Sequence, residues 1–232
     1  MAALKWTVKS NRAIKPLMRD TAGSAQKTYT ARGASTRRRI VDATVGLVYA
    51  KGVESTSLDE VCGAAEVSKS QLYHYFTDKD ALIREVISAQ AAGILAAQGS
   101  ALTQIDSLAA LRRWCDSILG LNRATANGGC PIGSLANELA NRSEQSRALL
   151  VAGFGSWEDF LAEGFEKMRQ NGELGKTAVP RDLAIGVLCA VQGGLLLAKT
   201  SRSEGPLKVA LSLAYDHVAS HSRLIAARGR RR

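Results

Sequence analysis

The feature that most restricts this chain is a rapid succession of helix-start signals between Ser57 and Asp80. Ser57-Leu-Asp-Glu60 and Ser68-Lys-Ser-Gln71 each set a hydroxyl three residues ahead of a Glu or Gln, the pattern of a reciprocal capping box. Thr77-Asp-Lys-Asp80 is a looser version. One such box is a weak signal. Three of them, interleaved with the apolar positions Leu58, Val61, Ala65, Val67, Leu72, Phe76 and Leu82, are hard to obtain by chance. With the helical spacing of Ile40, Ala43, Leu47 and Val48 and the stop at Gly52, they predict helices near 37–51, 58–65, 69–75 and 78–96. Only Glu66 to Ser68 separate the second from the third. Two short helices meeting across so tight a turn form a helix-turn-helix, whose second helix can enter a DNA major groove.

The stretch TRRRIVDATVGLVYAKGVESTSLDEVCGAAEVSKSQLYHYFTDKDALIREVI resembles the N-terminal DNA-binding domain of the TetR family of transcriptional regulators, over about residues 36–90. Its most specific part is VSKSQLYHYFTDKDAL. Further on, GGCPIGSLANELA is similar to a stretch in one branch of the same family. The resemblance implies an all-α fold, with an N-terminal three-helix helix-turn-helix domain followed by a larger helical ligand-binding and dimerisation domain. The expected organisation is a flexible basic arm over 1–35, the DNA-binding domain over 36–90, the larger domain over 91–227 and a basic tail over 228–232. It also implies a repressor that binds a palindromic double-stranded DNA operator as a homodimer and is released by a small-molecule effector. Glu66 departs from the pattern, because the family usually has glycine in the turn. A left-handed backbone there costs about 1 kcal/mol relative to glycine.

Leu72 and Phe76, four apart, face inward, which turns Lys69, Ser70, Gln71, Tyr73 and His74 outward. Serine, glutamine and lysine can read base edges, and tyrosine can donate to phosphate oxygens. By resemblance, Lys69, Ser70, Gln71 and His74 occupy base-facing positions, and Tyr73, Tyr75 and Lys79 backbone-contacting ones. Ser57 and Ser68, at helix N-termini, stand where phosphate would approach. Plainer readings are open: Gln71 completing its own capping box, Tyr75 mostly core, His74 orienting a neighbour. Arg37, Arg38 and Arg39 open the expected first helix. Cations there are unfavourable by a few tenths of a kcal/mol, about 0.3 or more, unless a phosphate lies near.

The net charge of +10 is unevenly spread: residues 1–39 carry +9, residues 40–222 carry −4 and residues 223–232 carry +5. Basic ends on a mildly acidic body suit a polyanion, or act as solubilising tails. They also support an alternative function, sequence-non-specific nucleic-acid binding.

Beyond Gln90 the chain predicts helices near 104–123, 132–141, 145–171, 181–201 and 206–227, with Pro180 and Pro206 at helix starts. Leu183, Val187, Val191 and Leu195, with Gly186, Ala190, Gly193 and Gly194, form one stripe; Leu207, Leu211, Ala214, Val218 and Ile225 form another. They suit either packing within one subunit or, as the family implies, a homodimer through the last two helices. Trp114, Ile118, Phe154, Trp157, Phe160 and Gln192 either fill a core or, with the resemblance, line an effector site; Leu111, Leu119, Phe165 and Met168 lie near them in sequence. Cys130, before Pro131 at a helix start, is either a thiol of lowered pKa or an inert turn residue.

Catalysis has no constellation to stand on. His217 and His221 share a helix face but lack the Glu of H-E-x-x-H. The four cysteines form no C-x-x-C pair, which argues against a disulfide framework or a zinc ribbon, and neither a metal nor another cofactor is expected. The apolar run Leu183 to Ala198, interrupted by Gln192, reads as a buried helix. The expected compartment is the cytoplasm, without membrane attachment.

Overall fold

The computed structural model describes residues 29–126 and 128–222. The expected arm up to residue 28, the basic tail and Ile225 lie outside the described residues. Among these residues stand nine helices: α1 (Ala31–Lys51), α2 (Leu58–Ala65), α3 (Lys69–Tyr75), α4 (Lys79–Thr103), α5 (Leu108–Ala124), α6 (Pro131–Leu139), α7 (Glu144–Gln170), α8 (Pro180–Ser201) and α9 (Gly205–Ser220). They form two compact units. One holds the described residues through Gly93 together with Ser134–Gly153; the other holds Ile94–Gly133 and the chain from Phe154.

In the first unit Ile40, Val41 and Val48 of α1 are buried, as are Val61 and Ala65 of α2, Leu72 of α3, Phe76, and Leu82, Ile83, Val86 and Ile87 of α4. Thr44 is buried too, because its hydroxyl donates to the Ile40 carbonyl at 2.7 Å. Ala43 and Leu47, expected to lead the inner face of α1, are half-buried instead. Helix α1 also starts earlier than expected. Thr30 caps it, accepting from the Gly33 N–H at 3.2 Å. Arg37 to Arg39 therefore sit inside the helix, and the dipole penalty expected for them does not arise. The missed turns hold Ala, Gly, Ser and Thr, which have no apolar face to reveal a period.

The two capping boxes form as written. Ser57 Oγ accepts from the Glu60 N–H at 3.2 Å and Glu60 Oε2 accepts from the Ser57 N–H at 2.9 Å. Ser68 Oγ accepts from the Gln71 N–H at 3.1 Å and Gln71 Oε1 accepts from the Ser68 N–H at 2.9 Å. The third start differs. Asp78, not Thr77, caps α4, its Oδ1 accepting from the Ala81 N–H at 2.6 Å, which holds the carboxyl below its usual range. The charged Asp78 carboxylate, next to the helix, takes the cap, and the Thr77 hydroxyl donates to its Oδ2 at 3.1 Å.

Glu66 ends α2 at φ 51°, ψ 50°, a left-handed conformation. Glu66→Gly removes that penalty, so it should stabilise the protein by about 1 kcal/mol. A urea titration with an unchanged m value would read this as a raised midpoint; a lowered midpoint contradicts it.

In the second unit, α8 and α9 lie against each other. Leu183, Val187, Val191 and Leu195 are buried, and so are Leu207, Leu211, Ala214 and Val218. At Gly194 a Cβ would stand 2.7 Å from Ala210 Cβ and 3.1 Å from Leu207 Cα, so only glycine lets the helices come this close. The two stripes offered for docking between subunits are thus the inside of a helix pair within one chain. Periodicity marks which residues share a face, not which chain covers it. The exposed apolar face is a different one: Ile185 and Leu196 of α8, with Val209 and Leu213 of α9, and Cys189 exposed among them. By length and composition α8 is apolar enough to cross a membrane, but its buried side is packing surface in this fold.

Candidate DNA-reading surface

Helix α3 has seven residues, and its register follows from two points. Leu72 is fully buried and Phe76 nearly so, which fixes the inner side. The Ser68 box fixes the N-terminus. Lys69, Ser70, Gln71, Tyr73 and His74 are then all exposed, Tyr73 at 49%. An aromatic half in water has no packing reason to be there. Tyr75 is half-buried, its ring 5.3 Å from that of Tyr29 and 5.0 Å from the edge-on His74 ring.

The expected contact residues fall into three groups. Lys69, Ser70, Tyr73 and His74 share the open face of α3. Lys69 Nζ pairs with Asp59 Oδ1 at 2.7 Å, which raises the lysine's pKa and keeps it charged. Ser57, Ser68 and Gln71 are committed to capping; the plainer reading of Gln71 describes its amide. Glu60, in the first box, also pairs with Lys51, and these partners bring its carboxyl down to about 2.

In the third group, Arg37 and Arg39 hold the domain together. Arg37 Nη2 lies 2.6 Å from Glu85 Oε1, with its guanidinium carbon 5.3 Å from the centre of the Phe76 ring. Arg39 Nε donates to the Ala65 carbonyl at 2.7 Å and Nη2 to that of Glu66 at 3.5 Å, so it satisfies the open end of α2 just where the left-handed residue stands. Burial raises the Asp42 carboxyl above its usual range, and the exposed Arg38 only partly opposes this. Lys79 is half-buried, its Nζ 3.5 Å from the Glu54 carbonyl. Neither the role of Arg39 nor that of Asp59 has a local sequence signal, since each partner comes from another helix.

In the second unit, Trp114, Ile118 and Trp157 are buried, while Phe154, Phe160 and Gln192 are half-buried. Trp114 Nε1 donates to Gln98 Oε1 at 2.8 Å. Trp157 Nε1 is a buried donor with no hydrogen-bond partner, while the Gln192 side chain faces the Cys130 thiol. Cys130 is buried, and burial pushes its thiol up, against the N–H of Gly133. A lowered thiol pKa at this helix start is therefore corrected: desolvation outweighs the helix end. His217 and His221 stack edge-on at 5.1 Å, and no group of three metal-binding side chains occurs among the described residues. Glu158 and Asp159 both pair with Arg181.

A three-helix unit with a short, polar, outward second helix of a helix-turn-helix defines a DNA-binding protein. Residues 40–86 match the family model described as bacterial regulatory proteins, tetR family, and residues 107–212 match that of the LmrA/YxaF-like transcriptional regulator C-terminal domain. The transcriptional regulator AcuR of Cereibacter sphaeroides is 30% identical over 163 residues, covering 68% of this chain and 73% of that protein. The HTH-type transcriptional repressor DhaR of Mycobacterium sp. strain GP1 is 23% identical over 180 residues, covering 78% and 90%. The crystal structure of regulatory protein TetR from Rhodobacter sphaeroides superposes with a TM-score of 0.71 at 25% identity, over 78% of this chain and 98% of that one. The chain belongs to the TetR family of bacterial transcriptional regulators, which act by binding DNA and are not enzymes.

Proposed function

We propose that this regulator is a cytoplasmic repressor that binds a palindromic operator as a homodimer and is released by a small-molecule effector. The open face of α3 carries the reading: Lys69, Ser70, Tyr73 and His74 project opposite the buried Leu72 and Phe76. Ser70 and His74 meet base edges, and Tyr73 and Lys79 meet phosphates; Lys69, base-facing by resemblance, meets phosphate instead, at the end of α3 where backbone N–H groups are open. Arg38 supplies a further cation from α1, whereas Arg37, Arg39, Ser57, Ser68 and Gln71 act by holding the reading helix in place. One such helix reads few bases, and a twofold pair reads a palindrome. DhaR, a relative, is named a repressor, which supports that sign of regulation.

The effector occupies the second unit beside Trp114, Ile118, Phe154, Trp157, Phe160 and Gln192. Its support is the buried N–H donor of Trp157, since an unpaired buried donor is costly unless something accepts from it. Release is a shift of population towards a form that binds the effector better and DNA worse.

The test is selection of duplexes from a random library at about 0.15 M salt, where basic ends contribute least non-specific attraction, followed by footprinting. A protected palindrome is expected. Uniform binding without a recoverable site would replace this reading with the non-specific one.

A further inference from the structure

The turn between α1 and α2 is held by a side chain from far along the sequence. Gly52 ends α1 at φ 86°, so the N–H of the next residue, Val53, has left the helical pattern. It donates to Glu138 Oε2 at 2.8 Å, across 85 residues of chain. A Cβ on Gly52 would stand 3.1 Å from Glu138 Oε2 and 3.2 Å from Oε1. Glycine therefore provides both the left-handed backbone and the room for the carboxylate. Thr56 Oγ1 closes the turn by donating to the Gly52 carbonyl at 2.8 Å, and Arg142, in the turn that follows α6, pairs with Glu54. The next residue, Ser57, is the cap of α2. A movement of Glu138 thus reaches the start of α2 through a short hydrogen-bonded turn, and α3 across Glu66 to Ser68.

We propose that Glu138 is a positioning residue for operator binding, holding α2 and α3 at the angle that DNA requires while touching no DNA itself. The GGCPIGSLANELA stretch then has a role in DNA recognition although it lies outside the helix-turn-helix. The inference rests on α3 being the reading helix. If alanine at Ser70 and His74 leaves binding unchanged, that reading fails; if those changes matter and Glu138→Ala does not, this inference alone fails.

The experiment uses the full chain and a palindromic duplex selected by the wild-type protein. Glu138→Ala should speed exchange of the Val53 amide and raise the operator Kd about tenfold, the usual scale for losing one charge-assisted bond. The slope of log Kd against log salt should not move, because every phosphate interaction stays in place. Glu138→Gln keeps an acceptor oxygen and should stay within about threefold of wild type. A merely structural role would lower the urea midpoint and leave the affinity of the folded molecules alone. Wild-type operator affinity in folded Glu138→Ala with a fast-exchanging Val53 amide overturns the proposal. Should that variant not fold, the wild-type protein decides: operator binding should slow Val53 exchange, and unaltered exchange overturns the proposal equally.

Discussion

Leu196→Glu combined with Leu213→Glu should yield a folded monomer that binds the operator far more weakly than wild type. Both leucines are exposed, at 54% and 63%, so in a single chain neither supports the core. With Ile185 and Val209 they form an apolar face that one chain leaves in water, on the side of α8 and α9 away from buried positions such as Val187 and Val218. A second copy covering that face would bury each new carboxylate, at an effective cost of several kcal/mol per ion, on the order of 3 or more. Loss of the proposed dimer would separate the two reading heads. Binding to the second half-site then ceases to be intramolecular, which costs on the order of 100- to 10,000-fold in affinity. Sedimentation velocity reads the assembly, circular dichroism the fold, and a gel shift at fixed salt the affinity. A double variant that still sediments as a dimer would put the interface elsewhere.

How much was legible beforehand depended on how local the physics was. The α2 and α3 boundaries were readable because each rests on a side chain bonding to backbone three residues away, at Ser57 with Glu60 and Ser68 with Gln71. The first two turns of α1 were not, since Thr30 is a lone cap before residues without an apolar face. Helices α8 and α9 were legible as amphipathic, yet the spacing of Leu183, Val187, Val191 and Leu195 says nothing about whether the covering surface is intramolecular. Gly194 looked like any small residue of the stripe, and its need for room appears only beside Ala210. Long-range polar bonds were invisible. Arg39 reaches the Ala65 carbonyl across 26 residues and Glu138 reaches Val53 across 85, and neither partner leaves a pattern in the other's neighbourhood. The same holds for Ser134–Gly153, which joins the first unit rather than the segments that flank it in sequence.

Alanine at both Lys69 and Lys79 should weaken operator binding with little change in which sequence is preferred. Alanine at Ser70 and His74 should instead weaken binding to the preferred operator and flatten the preference, with the salt slope unchanged. The distinction follows from what each group can recognise. A lysine ammonium on phosphate is a point charge that reads no base, and removing one such charge lowers the salt slope by about 0.9. Two lysines in each of two subunits therefore remove a slope of about 3.6, and affinity near physiological salt should drop by on the order of 100-fold or more. Lys69 reaches DNA only by giving up Asp59, an exchange between two exposed partners that costs little. Ser70 and His74 are exposed on the same face, with no capping bond to hold them back. Deleting a group that reads a base costs about 1–3 kcal/mol against the preferred base and nothing against others, so preference flattens at that position. Binding measured over a series of salt concentrations, repeated on operators substituted at each position, separates the two effects. If the lysine pair shifts preference while the slope stays constant, the role assigned to Lys69 is wrong, because its ammonium would then be reading a base and not a phosphate.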